Sequence, residues 1–209
     1  PGFVFPMQTV AVAVHAMATR FEIVLPGENP MALRAAGEEA LAEIQRLETR
    51  LSLFRPDSEI ARVNARAARE PVRVTPEVFH LLDHARRLSA ETEGAFDITI
   101  APLMRCWDFL GAHGALPSPE AIAAARECVG MHHVELEARD FTVRFARPGV
   151  MLDLGAIGKG YAVEQAMGLL REAGVTRALI HGGTSTAGAI GAPPDAAGWQ
   201  VVIDRPTRD

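Results

Sequence analysis

Apolar and polar positions alternate at the start of the chain and then change to helical spacing. Residues 9–18 and 21–25 are rich in Val, Ala and other apolar residues, which predicts one long strand or two paired strands around residues 17–19. From residue 31 to 50, apolar residues recur at intervals of three and four, which predicts a long helix with a solvated polar face. Because hairpin patterns and separate helices both occur along the chain, we expect the α+β class.

The rest of the chain predicts a series of shorter elements. They form no repeated unit, and no low-complexity linker separates them. The predicted elements are a loop with a short helix from about Ser58, a strand at 72–74, helices beginning at Thr75 and at Ser118, an apolar alternation of Ile98 and Ile100, a hairpin of strands 134–136 and 141–145, a strand at 177–180, and a last strand at 199–203.

A glycine-rich stretch in the last third of the chain is the most informative part of the sequence. An apolar run at 150–154 suits a buried strand, Gly155, Gly158 and Gly160 follow, and residues 161–170 carry helical spacing. A strand, a tight glycine turn and a helix are therefore predicted. Such a junction presents unpaired backbone N–H groups and the positive end of a helix dipole, which favours phosphate.

Charged residues in this stretch bear on the phosphate-binding interpretation but do not decide it. Lys159 adds a positive charge in the turn, and Asp153 lies inside the strand pattern, where a carboxylate is costly unless it has a partner or a ligand. The stretch fits neither the Walker loop nor the glycine fingerprint of dinucleotide-binding proteins. A packed turn with a surface lysine and a phosphate site are therefore equally supported.

Other polar positions are candidate binding groups. Residues 181–186, with the sequence HGGTST, directly follow a predicted strand and form either a loop that cradles phosphate or ribose, or a glycine bend between two strands. Asp97, between two apolar residues, is either an Asx cap or a ligand group, and the pattern favours the cap. His80 and His84 are four apart on a predicted helix, but no third zinc ligand is suggested, so we expect two surface histidines.

Composition excludes several classes of function. The chain has 209 residues and a formal net charge of −5, and its 21 Lys and Arg are scattered, so nucleic acid is not an expected partner. Cys106 and Cys128 lack metal-binding spacing and lie beside apolar residues, so we expect buried free thiols, and a disulfide between them is possible but not indicated. No apolar run reaches about 18 residues, so no transmembrane segment is expected.

Taken together and in order, several sequence blocks resemble the ApbE-like family, the FAD:protein FMN transferases. The most specific blocks are GAFD at 94–97 and DLGAIGKGYA at 153–162. The resemblance covers nearly the whole chain. The further matching blocks are Met17-Ala18-Thr19, LSLFRPDSEIARVN at 51–64, TEGAFDITIAPLMRCW at 92–107 around the GAFD block, and HGGTSTAGAIG at 181–191 followed by Trp199 and Pro206.

The resemblance implies a fold, a reaction and cofactors. The fold would be an α+β domain related to the T-fold, with a mixed or antiparallel β core, flanking helices and FAD in a cleft, and it would span residues 1–209 as a single domain. The reaction would be the Mg²⁺-dependent transfer of FMN from FAD to a Thr hydroxyl of a target flavoprotein, with release of AMP. Two alternatives stay open: a non-catalytic FAD-binding module, and an FAD pyrophosphate hydrolase that yields FMN and AMP. Because members of the family work mostly outside the cytoplasm in bacteria, a periplasmic or cell-envelope location is implied.

The resemblance also implies roles for individual residues, although it assigns no catalytic group. Met17 would contact the flavin, and Phe54 stands where the family commonly has Tyr, which keeps a stacking surface but loses the hydroxyl. The backbone carbonyl of Ala156 would bind Mg²⁺, and Glu164 replaces an Asp that is usual in the family. The remaining residues that the resemblance implies for FAD binding are Ala95, Phe96, Asp97, Asp153, Lys159 and, as a looser match, Gly182, Gly183 and Thr184.

One departure from the family pattern bears on activity. Members of the family continue beyond the length of this chain, and that later part carries the side-chain ligands for Mg²⁺. From the resemblance we expect the C-terminal portion of the family domain to be absent. One carbonyl and the FAD phosphates would then have to hold a cation that prefers several oxygen ligands. This expectation favours the binding-module alternative.

Overall fold

The computed structural model describes residues 7–109 and 116–202 of the chain. Contacts between residues divide the chain into two compact units. The first unit contains the described parts of residues 1–48 and 158–209, and the second unit contains the described residues from 49 to 157. The single domain expected from the resemblance stays a prediction. The helices and strands, in chain order, are β1 (Gln8–Ala16), β2 (Thr19–Gly27), α1 (Pro30–Leu51), α2 (Glu59–Arg66), β3 (Val72–Arg73), α3 (Pro76–Glu91), α4 (Ala101–Cys106), α5 (Pro119–Arg126), a 3₁₀ helix (Met131–His133), β4 (Val134–Glu137), β5 (Thr142–Phe145), α6 (Gly158–Glu172), β6 (Ala178–Gly182) and β7 (Thr186–Ile190).

The first unit is built on an antiparallel sheet with the strand order β1-β2-β6-β7. Strands β1 and β2 form a hairpin in which Gln8 lies opposite Gly27 and Ala16 lies opposite Thr19. Side chains alternate between the two faces of a strand, so one face of this hairpin supplies the core. Its buried apolar residues are Val10, Val12, Ala16, Phe21, Ile23 and Leu25.

Helices cover the first unit's sheet at close range where glycine removes a side chain. Helix α1 approaches β1 and β2 at Gly37, where an added Cβ would come within 2.8 Å of the Leu25 side chain and 2.7 Å of Val12. Helix α6 approaches β7 at Gly188, where an added Cβ would overlap the sulfur of Met167. The core of this unit therefore lies between the sheet and these two helices.

The second unit contains a smaller antiparallel sheet, with the strand order β3-β5-β4. Helices α2 to α5 belong to the same unit. Val143 at the centre of the sheet is fully buried and lies opposite Val72. The buried Glu59 of α2 accepts hydrogen bonds from the N–H of Thr75 at 2.6 Å and from its hydroxyl at 3.0 Å. A carboxylate therefore anchors the start of α3, and the Thr75 hydroxyl, used for this bond, makes no cap of its own.

The expected α+β class is confirmed, with antiparallel sheets and flanking helices. The hairpin around residues 17–19, the long first helix and the hairpin of β4 and β5 are all present. Ser58 caps α2 and Ser118 caps α5, each through a side-chain oxygen that accepts a backbone N–H. Cys106 and Cys128 are free thiols as expected, but both are half-exposed and not buried. No helix in the described part of the chain has the length and apolar character needed to cross a membrane.

The predicted strand at 150–154 is wrong. Val150, Met151, Leu152 and Leu154 are buried as expected, but the segment pairs with no strand of either sheet among the described residues. Hydrogen bonds with the Asn64 side chain and a bond donated to the Ile98 carbonyl replace the missing strand partner, as described below. An apolar run predicts burial, and burial does not require a sheet.

Three other predicted elements or element boundaries also differ from the structure. The Ile98 and Ile100 alternation is a turn that leads into α4, because Pro102 suits the first turn of a helix. Residues 199–202 form no strand, and residue 203 lies outside the described residues. Helix α6 begins at Gly158, so Lys159 belongs to its first turn and not to the preceding glycine turn.

Candidate functional site

The tip of the β1–β2 hairpin holds Met17 in a strained turn. Met17 and Ala18 have φ values of 50° and 57°, the left-handed conformation that two-residue hairpin turns usually give to Asn and Gly. A side chain in this conformation costs about 1–2 kcal/mol per residue. The Met17 N–H donates to Oε1 of Glu48 at 2.6 Å, a charge-assisted bond that helps to hold the turn. The predicted flavin contact therefore lies on a strained turn, and strain of this kind clusters at functional sites.

A second turn, between β6 and β7, lies beside the Met17 turn at the same end of the sheet. Gly182 pairs with Phe21, and a Cβ at Gly182 would come within 2.4 Å of the Phe21 ring. Gly183 has a φ of +66°, and its N–H donates to the Arg20 carbonyl at 3.0 Å. The bend between two strands is thus confirmed, and local packing accounts for both glycines. A role for Gly182, Gly183 and the exposed Thr184 in a ligand cleft stays a prediction.

The first turn of α6 presents a positively charged surface. Lys159 is partly exposed and Gly160 is exposed, with no atom within 4 Å of where a Cβ would lie. The first N–H groups of a helix have no intrahelical partner and carry the positive end of its dipole. Lys159 is the only lysine in the chain, and every other residue among the 21 Lys and Arg is arginine. A lysine offers a compact point charge with three donors, which suits a phosphate close to the backbone.

In the second unit, Asp97 is anchored through Thr99. Oδ1 of Asp97 accepts the N–H of Thr99 at 2.7 Å and its hydroxyl at 2.6 Å. The fully buried Thr99 hydroxyl in turn accepts the Gly130 N–H at 2.6 Å. The Asx cap expected at Asp97 is therefore present only as an Asx turn to the backbone two residues on, because the N-cap residue of α4 is Ile100. Oδ2 of the half-exposed Asp97 receives no hydrogen bond from the described residues.

Asp153 is anchored in a similar way on the neighbouring loop. Its Oδ1 accepts the Gly155 N–H at 2.6 Å, and its own N–H donates to the Ile98 carbonyl at 2.7 Å. Ile98 directly follows Asp97, so this single backbone bond ties the two carboxylate-bearing loops together. Its Oδ2, like that of Asp97, is free of described donors. The structure thus joins the two loops that carry Asp97 and Asp153, two half-exposed residues that the resemblance predicts as FAD contacts.

The other predicted residues of the second unit lie at the surface. The side chain of Phe54 is 72% exposed, which leaves its ring face open to a planar ligand. Ala95 and Ala156 are exposed, and Phe96 is half-buried. Ala156 follows Asp153 on the same loop, so its backbone belongs to the surroundings of that carboxylate. These positions agree with a binding surface, although no ligand role is established for any of them.

A histidine pair lies near Asp97 in the second unit. The rings of His132 and His133 have centroids 3.9 Å apart. Burial lowers the pKa of His133, and the neighbouring His132 and Arg147 lower it further. A backbone hydrogen bond with Glu127 and the charge of Asp97 oppose this lowering of the His133 pKa but do not reverse it.

The described residues do not by themselves build a complete metal centre. Residues 7–109 and 116–202 contain no group of three or more His, Cys, Asp and Glu placed to hold a metal ion. The predicted oxygen ligands among the described residues are the Oδ2 atoms of Asp97 and Asp153 and the backbone carbonyl of Ala156, which is an exposed residue. These are hard ligands of the kind that Mg²⁺ prefers, but they are fewer than its usual six.

Sequence reasoning missed three side chains that position the candidate residues. Glu48 binds the Met17 turn, Thr99 anchors Asp97, and Asn64 holds the backbone directly before Asp153. Each lies inside a predicted helix or a matched sequence block, where a polar side chain is ordinarily expected to face solvent. One compositional clue was available for Asn64, because the chain contains only one other asparagine, Asn29.

Comparison with known proteins shows the family. The family model that matches is the ApbE family, over residues 17–209. A protein of Klebsiella pneumoniae strain 342, named FAD:protein FMN transferase, is 32% identical over 197 residues, which cover 90% of this chain and 59% of that relative. A second relative of the same name, from Vibrio cholerae, is 29% identical over 171 residues and is covered to 49% of its length. The chain therefore spans about half to three fifths of these curated relatives.

Solved structures agree with the sequence comparison. The apo form of the flavinyl transferase ApbE of Pseudomonas stutzeri superposes with a TM-score of 0.85 at 30% identity, covering 96% of this chain and 63% of that one. The flavin transferase ApbE of Vibrio cholerae gives a TM-score of 0.84 at 25% identity, covering 96% of this chain and 65% of that one. From its motifs, its fold and these matches, the chain belongs to the ApbE family.

Proposed function

We propose that this protein is an FAD:protein FMN transferase, which moves FMN from FAD to a Thr hydroxyl of a target flavoprotein and releases AMP. Family membership and the names of the relatives support the proposal. The observation that carries it is the first turn of α6. There the one lysine of the chain lies in the first turn of a helix whose first turn has no acidic residue, and the positive end of the helix dipole adds to its charge, which suits a pyrophosphate.

The proposed reaction breaks FAD within its pyrophosphate. The acceptor Thr oxygen attacks the phosphorus on the FMN side, the bond from that phosphorus to the bridging oxygen breaks, and AMP leaves with the bridging oxygen. The Thr hydroxyl gives up its proton as the new phosphoester forms. Negative charge grows on the departing AMP, and Lys159 with the N–H groups of α6 would stabilise it.

Two carboxylates near a pyrophosphate favour a cation between them. Asp97 and Asp153 would repel the phosphates of FAD unless positive charge intervenes. Mg²⁺ bound there would supply the charge neutralisation that phosphoryl transfer requires. The free carboxylate oxygens and the Ala156 carbonyl are donors of the right type, so Mg²⁺ is part of the proposal. The two carboxylates would help to hold it.

The direct test combines product analysis with FAD binding. Purified protein is incubated with FAD, Mg²⁺ and a flavoprotein that carries an acceptor Thr, and AMP release is measured together with the mass of the acceptor. We expect AMP release and an FMN adduct in equal amounts, both abolished by EDTA. AMP and free FMN without an adduct would show a hydrolase, and FAD binding that is indifferent to Mg²⁺ with no AMP would show a binding module. Either result would refute the transferase.

The phosphate role of Lys159 has its own test, because an amine-selective reagent can modify only Lys159 and the N-terminus. We expect FAD to protect Lys159 from modification, and riboflavin, which lacks the pyrophosphate, to leave it reactive. The change Lys159→Ala should weaken FAD binding by about ten-fold, as for a lost charge-assisted contact. Equal protection by riboflavin would contradict a phosphate contact.

A further inference from the structure

The buried backbone of Leu152 is held by one side chain. Its N–H donates to Oδ1 of Asn64 at 2.8 Å, and its carbonyl accepts from Nδ2 of Asn64 at 2.9 Å. Leu152 is fully buried, so without these bonds both of its peptide groups would lack partners. A planar carboxamide carries one donor side and one acceptor side, as a peptide does, and here it takes the place of a neighbouring strand.

Asn64 is itself fixed on a well-anchored helix. It lies in α2, where Ile60 and Val63 are fully buried. Oγ of Ser58 caps this helix by accepting the Ala61 N–H at 2.9 Å, and the same hydroxyl donates to the Ser52 carbonyl at 2.5 Å. The carboxamide is therefore presented from a rigid support, as a precise positioning group must be.

The two hydrogen bonds between Asn64 and Leu152 form a clamp that constrains the next residue, Asp153. Asp153 is held on one side by the Asn64–Leu152 pair and on the other by its own N–H bond to Ile98 at 2.7 Å. Because Asp153 has no sheet around it, these contacts determine where its carboxylate and the following Gly155 turn lie. The Ile98 bond extends the same constraint to the loop of Asp97.

We propose that Asn64 is a positioning residue, whose carboxamide grips Leu152 and thereby aims Asp153 and the loop after it at the FAD pyrophosphate and its cation. The inference rests on the proposed function for the identity of the ligand. Asn64 touches neither substrate nor metal in this account and acts only through Leu152. Asn64 also lines a surface cavity of about 420 Å³ together with Arg105 and Met151, so the clamp stands at the edge of an open recess.

The test replaces the carboxamide with a carboxylate. In Asn64→Asp one oxygen still accepts the Leu152 N–H, but the donor to the Leu152 carbonyl is lost and two oxygens face each other. The chain offers a matched control in Asn29→Asp, because Asn29 only accepts the Ala32 N–H at the start of α1, a bond that a carboxylate keeps. Both variants make the same chemical change, and urea unfolding gives the folded fraction of each.

Three readouts separate positioning from a merely structural role. We expect Asn64→Asp to speed hydrogen exchange of the Leu152 amide, to weaken Mg²⁺-dependent FAD binding per folded molecule by about ten-fold, and to lower kcat while the KM for the acceptor protein stays unchanged. Asn29→Asp should match the wild type in all three. An Asn64→Asp protein that is less stable but binds FAD and turns over normally per folded molecule would overturn the proposal.

The same experiment distinguishes failure of the two proposals. A wild-type protein that binds no FAD and releases no AMP would refute the proposed function. A wild type that is active beside an equally active Asn64→Asp would refute only the positioning role. If Asn64→Asp folds too poorly to assay, Asn64→Ser, which retains a group able to make one of the two bonds, is measured against the same control. Normal FAD binding and kcat in Asn64→Ser, beside faster exchange at Leu152, would likewise overturn the proposal.

Discussion

The candidate residues of the two units are held in place in different ways. In the first unit, Met17 and Gly183 lie on turns at the end of a four-stranded antiparallel sheet, and a continuous ladder of backbone pairs fixes both turns. In the second unit, Asp97 and Asp153 lie on loops outside the sheet, and a few side-chain bonds from Thr99 and Asn64 fix them.

This difference determines how each region should respond to mutation. A strand ladder distributes its backbone hydrogen bonds over many residues, so replacing one side chain leaves the geometry largely intact. The exception is a larger side chain that collides with the core. A side-chain clamp concentrates the constraint in one or two polar groups, so a change of nearly equal size should release the loop. Substitutions that change bulk therefore probe the first unit, and substitutions that change only hydrogen bonding probe the second.

The largest loss of stability is expected where bulk is added to the ladder, in Gly182→Ala. The new Cβ would overlap the ring of Phe21, whose side chain is fully buried, so the core must shift to make room for it. Overpacking of this kind costs about 1–3 kcal/mol, and we expect the upper part of that range. Urea unfolding followed by circular dichroism measures the free energy of unfolding.

A matched glycine serves as the control for that measurement. Gly168 lies inside α6 with no atom within 4 Å of an added Cβ. Gly168→Ala should raise the free energy of unfolding by roughly 1 kcal/mol, because Ala favours a helix interior. Equal effects of the two alanines would show that the ladder end is looser than the structure indicates.

The second-largest effect is expected in Thr99→Val, which removes the hydroxyl that anchors the loop of Asp97 and keeps the shape of the side chain. The fully buried Thr99 hydroxyl would no longer accept the N–H of the half-buried Gly130, and Asp97 would lose the shorter of its two bonds from Thr99. A buried donor left unsatisfied costs about 1–3 kcal/mol, and for the two lost bonds together we expect a loss near 2 kcal/mol in the free energy of unfolding. Thr99→Ser keeps the hydroxyl and should lose only about 0.8 kcal/mol for its methyl group. A serine variant as unstable as the valine variant would mean that the hydroxyl does not hold this loop.

The same contrast explains how much of the fold could be predicted from the sequence. Alternation in residues 9–25 predicts the first hairpin because a ladder leaves a period of two in both strands. The apolar run at 150–154 predicts burial correctly but not its partner, since the partner is a polar side chain 88 residues away in the chain. No periodicity in either segment records a pairing of that kind.

The candidate site was predictable to a similar extent. The Asx turn at Asp97 follows from a local pattern, because the bond returns to Thr99 two residues later. The strained turn at Met17 was hidden, because neither of its two positions carries the Asn or Gly that marks such turns. Its support by Glu48 depends on the packing of α1 across the hairpin, and tertiary packing leaves no short-range mark in a sequence.

The smallest expected effect is an acid sensitivity of the second unit that depends on His133. Burial, with help from His132 and Arg147, lowers the pKa of His133 in the folded protein, while Asp97 and a backbone bond to Glu127 oppose the shift. Below the ordinary histidine pKa of about 6.5, the unfolded chain therefore binds a proton more readily than the folded one. Stability from this residue is fully present above about pH 6.5 and is lost as the pH falls through the lower folded pKa.

Urea midpoints measured at several pH values between 7 and 5 should fall less steeply in His133→Gln than in the wild type. His84→Gln, on an exposed position of α3, controls for the loss of a histidine as such. Parallel curves for His133→Gln and the wild type would show that the unfolded and folded states bind this proton equally. The 3₁₀ helix that carries His133 would then be more open to water than its burial implies.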